Sequence, residues 1–295
     1  MKIIVDLMSE NLANYHQADG IIINSQEYSC YNGFTVSFPN LTSLSAKIKI
    51  EGKIAILNID RIMEEHDLEE FTKYLDQVLP LFDFFIYGDM AVVSYFREHH
   101  QLQKLIFDGK TLIASSFDIA YYQKQEITCF LANELSLPEI KAIAEKEQFA
   151  LEVYGYHQIF YSRRELLTLY QEFRSNKESL ENELLLLKEE LRDDYYKIYQ
   201  GKHGTFIYTP TIYAMFEELL ELKNSITYIR INGIFLEEQA VLKALDCYSQ
   251  LLQGEAITKE ALKAINPNIS SGFLVNKSIL LKDRPVPRKK VGGKA

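Results

Sequence analysis

Thiols are scarce in this chain: 295 residues hold three cysteines, Cys30, Cys129 and Cys247. They are odd in number, far apart, and show neither C-x-x-C nor C-x-x-x-C spacing, which reads as reduced structural thiols and excludes a disulfide framework. Long apolar runs are missing too. The run LPLFDFFIYG at residues 79–88 is broken by Asp83, well short of the roughly 18 residues a membrane helix needs. The opening MKIIVDLMSE meets Asp6 early and has no small-residue cleavage site, so it reads as a first strand and points to a cytoplasmic protein with no membrane partner. Finally, no G-x-S-x-G elbow, no H-E-x-x-H and no cysteine beside a histidine is found, so neither a hydrolytic triad nor a metal site is expected.

What remains is an ordinary globular composition, 47% hydrophobic and 25% charged, with length enough for one large α/β barrel or two domains. The net charge is −9, yet the tail at residues 282–295, KDRPVPRKKVGGKA, carries six basic residues and one acid. Taking that +5 away leaves −14 on the body. So acidic a body repels phosphate, and contact with nucleic acid falls to the tail, a basic flexible arm.

Short β-rich runs alternate with helical patterns, the signature of βα units on a parallel sheet. Strands are expected at 2–6, 20–24, 53–59, 83–87, 104–107, 127–132, 150–154 and 226–231, with helices at 67–79, 90–100, 117–125, 137–148, 163–194 and 236–252. Eight such strands predict a (β/α)8 TIM-like barrel over residues 1–252, followed by an extension at 253–281 and the tail. Two stretches interrupt it. Residues 25–46 read as a long polar loop, and residues 163–225 as an inserted subdomain between the seventh and eighth strands. In that insertion leucines at 180, 184, 187 and 191 form a narrow stripe on an acidic helix, packed on the barrel or kept as a seam for a partner protein. The alternation around QGKHG predicts a β-hairpin.

A barrel gathers its ligand site at the C-terminal ends of its strands. Polar residues there are Asp6, Asn24, Asn58, Asp60, Asp89, Asn133, Glu134, His157 and Asn232, each with a competing role as a helix cap or turn residue. Glu134 leaves a buried strand just before the helix cap Ser136, and suits a ligand or an orienting contact with Arg163. His157 fits an acid/base group, a donor to an anion, or a packed ring. Arg163 and Arg164 oppose the dipole at a helix start, which a bound acid would explain. Ser162 has no recognisable base. Glu134, His157 and Arg164 are therefore the candidate catalytic residues, and Arg163, Ser162, Asn232 and Asp6 the candidate substrate contacts.

The run EVYGYHQIFYSRREL at residues 152–166 resembles the segment that marks peptidase family U32, the collagenase-like proteins, which read roughly EVFxHGxxxxxYSGRC. LANELSLPEIKAI at 131–143, GTFIYT at 204–209 and TYIRING at 227–233 are similar to further family segments in the same order. The resemblance implies iron–sulfur chemistry held by four cysteines and a role in RNA or quinone hydroxylation. It also puts Glu165 where the family has its first cysteine, and Leu187 and Leu191 where it has a later pair. Without those ligands the likeness narrows to the family's short members. It implies 5-hydroxyuridine formation at the tRNA wobble position, performed with a longer cysteine-bearing paralogue that carries the cluster and reaches tRNA as a complex, with prephenate implicated in the pathway. A collagenase-like peptidase and a non-catalytic scaffold remain the alternatives.

Overall fold

The computed structural model describes residues 1–188, 190 and 193–275. All eight expected strands form: β1 (Lys2–Asp6), β2 (Gly20–Asn24), β3 (Ile54–Ile59), β4 (Phe84–Tyr87), β5 (Leu105–Phe107), β6 (Thr128–Cys129), β7 (Phe149–Gly155) and, after the insertion, β13 (Ile226–Ile231). β8 (Gln158–Ser162) precedes the bounds expected for the insertion, which contributes β9 (Leu184–Lys188), β10 (Tyr195–Gly201), β11 (Gly204–Tyr208) and β12 (Ile212–Ala214), and β14 (Ile269–Ser270) follows near the end. The helices are α1 (Phe38–Ile50), α2 (Leu68–Val78), α3 (Met90–Glu98), α4 (Ser116–Gln123), α5 (Leu137–Ala144), α6 (Leu166–Phe173), α7 (Leu219–Leu222), α8 (Glu238–Gln253) and α9 (Lys259–Ile265).

The protein is a mixed α/β fold built on one large sheet ordered β14-β12-β7-β13-β1-β2-β3-β4-β5-β6. From β7 to β6 every neighbour is parallel; β12 adds antiparallel to β7, and β14 lies parallel to β12. The closed barrel expected from the sequence is not what the ladders give. β6 has only two residues, and its contact with β7 is reduced to an isolated bridge, Phe130 to Ala150, with Leu131 N–H donating to Ala150 O at 3.0 Å.

Alternation along the strands sends one set of side chains to the helices and the other to the opposite face. Ile4, Ile22, Ile56, Ile86, Ile106, Phe130, Ala150 and Tyr228 meet on that opposite face as a separate apolar cluster, one residue from each parallel strand or its immediate end. The larger core lies between the sheet and its helices.

Two expectations fail for local reasons. The long helix at 163–194 stops after α6, where Ser175 turns to φ 56°, and Asn182 reverses the chain again at φ 62°. Four consecutive leucines are apolar on both faces, so they serve a strand as well as a helix; Leu184–Lys188 pairs antiparallel with β10. Leu191 and Arg192 lie outside the described residues, as do residues 276–281 and the basic tail. The supposed loop at 25–46 contains the start of α1, announced by Ser37 as N-cap and Pro39 in the first turn. The hairpin forms as expected: β10 and β11 pair from Lys197–Tyr208 to Gly201–Gly204, and Gly204 sits at φ 124° with Ser162 O so close that a Cβ would collide with it. With β8 and β9 this makes a second, four-stranded antiparallel sheet.

Candidate functional site

Two residues beyond the apolar cluster, the same alternation puts Asp6, Asn24, Asn58, Asp108, Glu152 and Arg230 on six parallel strands, toward or just past their C-terminal ends except for Glu152, which is in the middle of β7. All six are buried. Arg230, 1% exposed, is the hub. Its Nη2 and Nε donate to the two oxygens of Asp6 at 2.8 and 3.3 Å, and its Nη1 donates to Asp108 Oδ2 at 3.2 Å and lies 4.0 Å from Glu152 Oε2. Asn24 Nδ2 supports Asp6 at 3.4 Å, and Asn58 Nδ2 donates to Asn24 Oδ1 at 2.8 Å and to Ser29 Oγ at 3.1 Å. Lys110 reaches back from the loop after β5 to Asp108 Oδ2 at 2.5 Å. Asn232 Nδ2 donates to Glu152 Oε1 at 3.1 Å, while its own Oδ1 accepts from Ile234 N–H at 2.9 Å.

Three carboxylates therefore face two cations. Burial raises the carboxyls of Asp6 and Glu152 above their ordinary values against the pull of Arg230. For Asp108 burial pushes up as well, but Lys110 and Arg230 outweigh it and hold that carboxyl low. Arg230 stays charged because its carboxylates overcome the burial that opposes its charge. A proton on Asp6 or Glu152 would balance the cluster.

His157 enters the same cluster from the short link between β7 and β8. Its backbone is fixed by Thr209, whose Oγ1 accepts from His157 N–H at 3.1 Å and whose N–H donates to His157 O at 2.9 Å. The ring is 2% exposed and tilts against Tyr213 at 4.2 Å; its Nε2 lies 3.6 Å from Glu152 Oε1 and makes no hydrogen bond among the described residues. Burial, helped by Lys110, lowers its pKa to about 3, so the imidazole is neutral at physiological pH.

At the Asp108–Lys110 end of this cluster opens a cavity of about 330 Å³ between the loops after β3 to β5 and the inserted sheet, while Glu152, Arg230 and Asn232 line a small space of about 20 Å³ that shares Lys110, Asp60 and Gln158 with it. Lys110, Asp108, Asp60 and Gln158 supply the polar wall of the larger cavity, and Leu112 and Phe206 stand among its apolar residues. Lys110 remains 20% exposed, and an ammonium with one donor spent on Asp108 has two left for a ligand. Cys30 also lines the cavity, but burial, with Asp60 nearby, pushes its thiol far above the ordinary value. It is not a ready nucleophile.

Of the residues expected from the sequence, Asp6, Asn24, Asn58, Asn232 and His157 come together here, and Asp60 lines the cavity. Glu134, Arg163, Arg164, Ser162 and Asp89 do not join them. Glu134 is exposed ahead of α5, whose N-cap is Ser136 as expected. Arg163 is exposed and pairs with Glu64, not Glu134. Arg164 is exposed, and its backbone N–H donates to Ser162 Oγ at 3.2 Å, closing the turn after β8. Asp89 is a cap: its carboxylate accepts from Ala91 N–H at 2.7 Å and from Met63 N–H at 2.8 Å.

Arg230, Glu152, Asp108 and Lys110 were missed. A signal existed for the first two, a charge flanked by apolar residues inside a buried strand, ITYIRI and ALEVY. A charge there must find a partner, and inward-facing positions on neighbouring strands are where it would be.

The sequence profile of peptidase family U32 matches residues 8–279. Over 285 residues, 89% of this chain and 92% of the relative, the chain is 22% identical to the tRNA hydroxylation protein P2 of Bacillus subtilis strain 168. Among solved structures it is similar to the U32 peptidase Mk0906, with a TM-score of 0.49 and 11% identity over 79% of this chain and 92% of that one. A thiamine phosphate pyrophosphorylase from Pyrococcus furiosus gives a TM-score of 0.41 and 8% identity over 90% and 96%.

Proposed function

The chain belongs to peptidase family U32, and from that membership we propose that it serves tRNA hydroxylation rather than peptide hydrolysis. The named relative from Bacillus subtilis supports the RNA side of this reading. The observation that carries the rejection of hydrolysis is the setting of His157: its Nε2 faces the carboxylate of Glu152, and among the described residues no serine or cysteine is held against it as a nucleophile. Ser162, the serine nearest in sequence, spends its oxygen on a turn.

We read the parallel sheet as a barrel closed loosely at the Phe130–Ala150 bridge, on the strength of the eight-residue apolar cluster that all the parallel strands share. Its mouth is then the binding site. Lys110 is the cation at which a small acidic ligand such as prephenate would be held, with Gln158 and Asp60 to orient it. Arg230, Asp6 and Asn232 are positioning residues that fix Asp108 and Glu152 below. Neutral His157 has one N–H to donate and one nitrogen to accept, which suits it to hold a proton rather than a charge. Glu134, Arg163, Arg164 and Ser162 lie outside this mouth, and we assign them to contacts with tRNA or a partner.

An iron–sulfur cluster does not fit the donors this chain offers. Cys30 stands in a loop, Cys129 in β6 and Cys247 in α8, and burial raises all three thiols. Glu165 and Leu187 occupy positions where thiolates would be required. We therefore assign the cluster to a longer, cysteine-bearing U32 paralogue, with this chain as the cysteine-poor subunit of a cytoplasmic complex.

Nucleoside mass spectrometry of bulk tRNA tests the reading. Deleting the gene together with any redundant hydroxylase should remove hydroxylated uridine, and the wild-type gene should restore it. Unchanged modification in the deletion contradicts the proposal.

A further inference from the structure

The inserted sheet ends in an unguarded strand. In the order β8-β11-β10-β9, β9 pairs with β10 on one side and, among the described residues, with nothing on the other. Its sequence is LLLLK, and Leu184, Leu186 and Leu187 are 45%, 63% and 43% exposed. Proteins ordinarily blunt such an edge with proline, a bulge or an inward charge, and β9 has none of these. The register with β10 runs without a shift from Leu184 to Lys188. Lys188, at the end of the strand, is turned toward Asp193 at 3.5 Å. Across one face of the sheet, from β8 to the edge, Ile159, Ile207, Tyr196 and Leu187 line an apolar groove.

The flanks say what kind of strand would fit. Residues 181–194, ENELLLLKEELRDD, hold six acids against two bases, and Glu181, Glu183, Glu190, Asp193 and Asp194 are exposed. Antiparallel pairing of β9 with a second copy of itself would bring Glu183 of each chain against the acids that follow Lys188 in the other. Like charges placed opposite one another destabilise a ladder.

We propose that β9 is a docking edge for another protein, which adds an extended apolar strand flanked by lysine or arginine residues to the inserted sheet. Backbone hydrogen bonds would supply the affinity, the leucines alternate contacts, and the acidic flanks the choice of partner. This does not depend on the tRNA reading.

The full chain can be titrated, with fluorescence anisotropy as readout, against two labelled peptides sharing one alternating Val/Thr core, the first flanked by three lysines on each side and the second by three glutamates. The lysine-flanked peptide should bind at least tenfold more tightly at low salt, lose that advantage at high salt, and slow hydrogen exchange at those amides of residues 184–188 that point away from β10. Leu186→Lys should weaken it at least tenfold with an unchanged melting temperature. Equal binding of the two peptides, no binding at millimolar peptide, indifference to Leu186→Lys, or protection of those amides in the chain alone would each overturn the proposal. The last result would mean that the edge is already occupied, by a second copy or by the chain itself.

Discussion

Two layers of side chains lie on the inward face of the parallel strands, separated by two residues, about 7 Å along each strand. In the lower layer Ile4, Ile22, Ile56, Ile86 and Ile106 meet Phe130, Ala150 and Tyr228, and no charge is present. In the upper one the same strands present Asp6, Asn24, Asn58, Asp108, Glu152 and Arg230. The backbone treats the two alike; the difference lies in what desolvation does to the side chains. Burying isoleucine is favourable by about 1.5–3 kcal/mol per side chain. A buried ionic cluster recovers its desolvation cost only through its partners, and apolar residues often replace such clusters without loss. The lower layer holds the strand ends in place. The upper layer is better explained by what it does for a ligand above it.

The largest effect should come from removing the hub. Arg230→Met leaves three buried carboxyls around a gap, and breaking a buried ionic contact costs about 3–5 kcal/mol. Urea unfolding should show this, and Asp6→Asn in the same chain should return part of it. If Arg230→Met proves as stable as wild type, the upper layer is not coupled as described.

A second test uses pH. The folded state keeps His157 neutral, with its pKa lowered from 6.5 to about 3 by burial. An unfolded chain binds that proton more readily between those values. The stability contributed is therefore complete above pH 6.5 and is lost as pH falls toward 3, with a slope of at most about 1.4 kcal/mol per pH unit. Asp6 and Glu152, whose carboxyls are raised by burial, act in the opposite sense, adding stability at low pH that fades as pH rises through their folded values. Comparing wild type with His157→Gln isolates the histidine: the variant should lose less stability between pH 6.5 and 4.5. Parallel curves would mean that His157 titrates normally.

Smaller changes sharpen the contrast. Ile56→Val, which trims one methyl from the lower layer, should cost about 1 kcal/mol and leave function intact. Glu134→Ala, at an exposed position outside both layers, should change stability by no more than about 0.5 kcal/mol in thermal unfolding.

How much of this was legible follows from the same chemistry. The eight parallel strands could be read because each is a compact apolar run between turn signals, and GIIIN or DFFIY has no competing period. The four leucines of β9 carry no period, so the acidic residues around them suggested a helix where the partner strand β10 imposed a ladder. Asp6, His157 and Asn232 were found because strand ends are where a site is sought. Glu152 and Arg230 escaped because they lie inside strands, and only the strand order brings Arg230 between Asp6 and Glu152. Glu134, Arg163 and Arg164 looked functional by residue type, yet the turn after β8 and the loop holding Glu64 draw the arginines away from the cavity.

The claim that the upper layer and its cavity serve function, while the lower layer serves stability, is tested most directly by tRNA nucleoside mass spectrometry on the deletion strain carrying Lys110→Met or Ile56→Val at equal protein levels. Lys110 keeps Asp108 company at the cavity wall, while Arg230 remains to hold the same carboxylate. The account predicts that Lys110→Met lowers hydroxylated uridine at least tenfold and that Ile56→Val restores it fully. Full modification with Lys110→Met would contradict it.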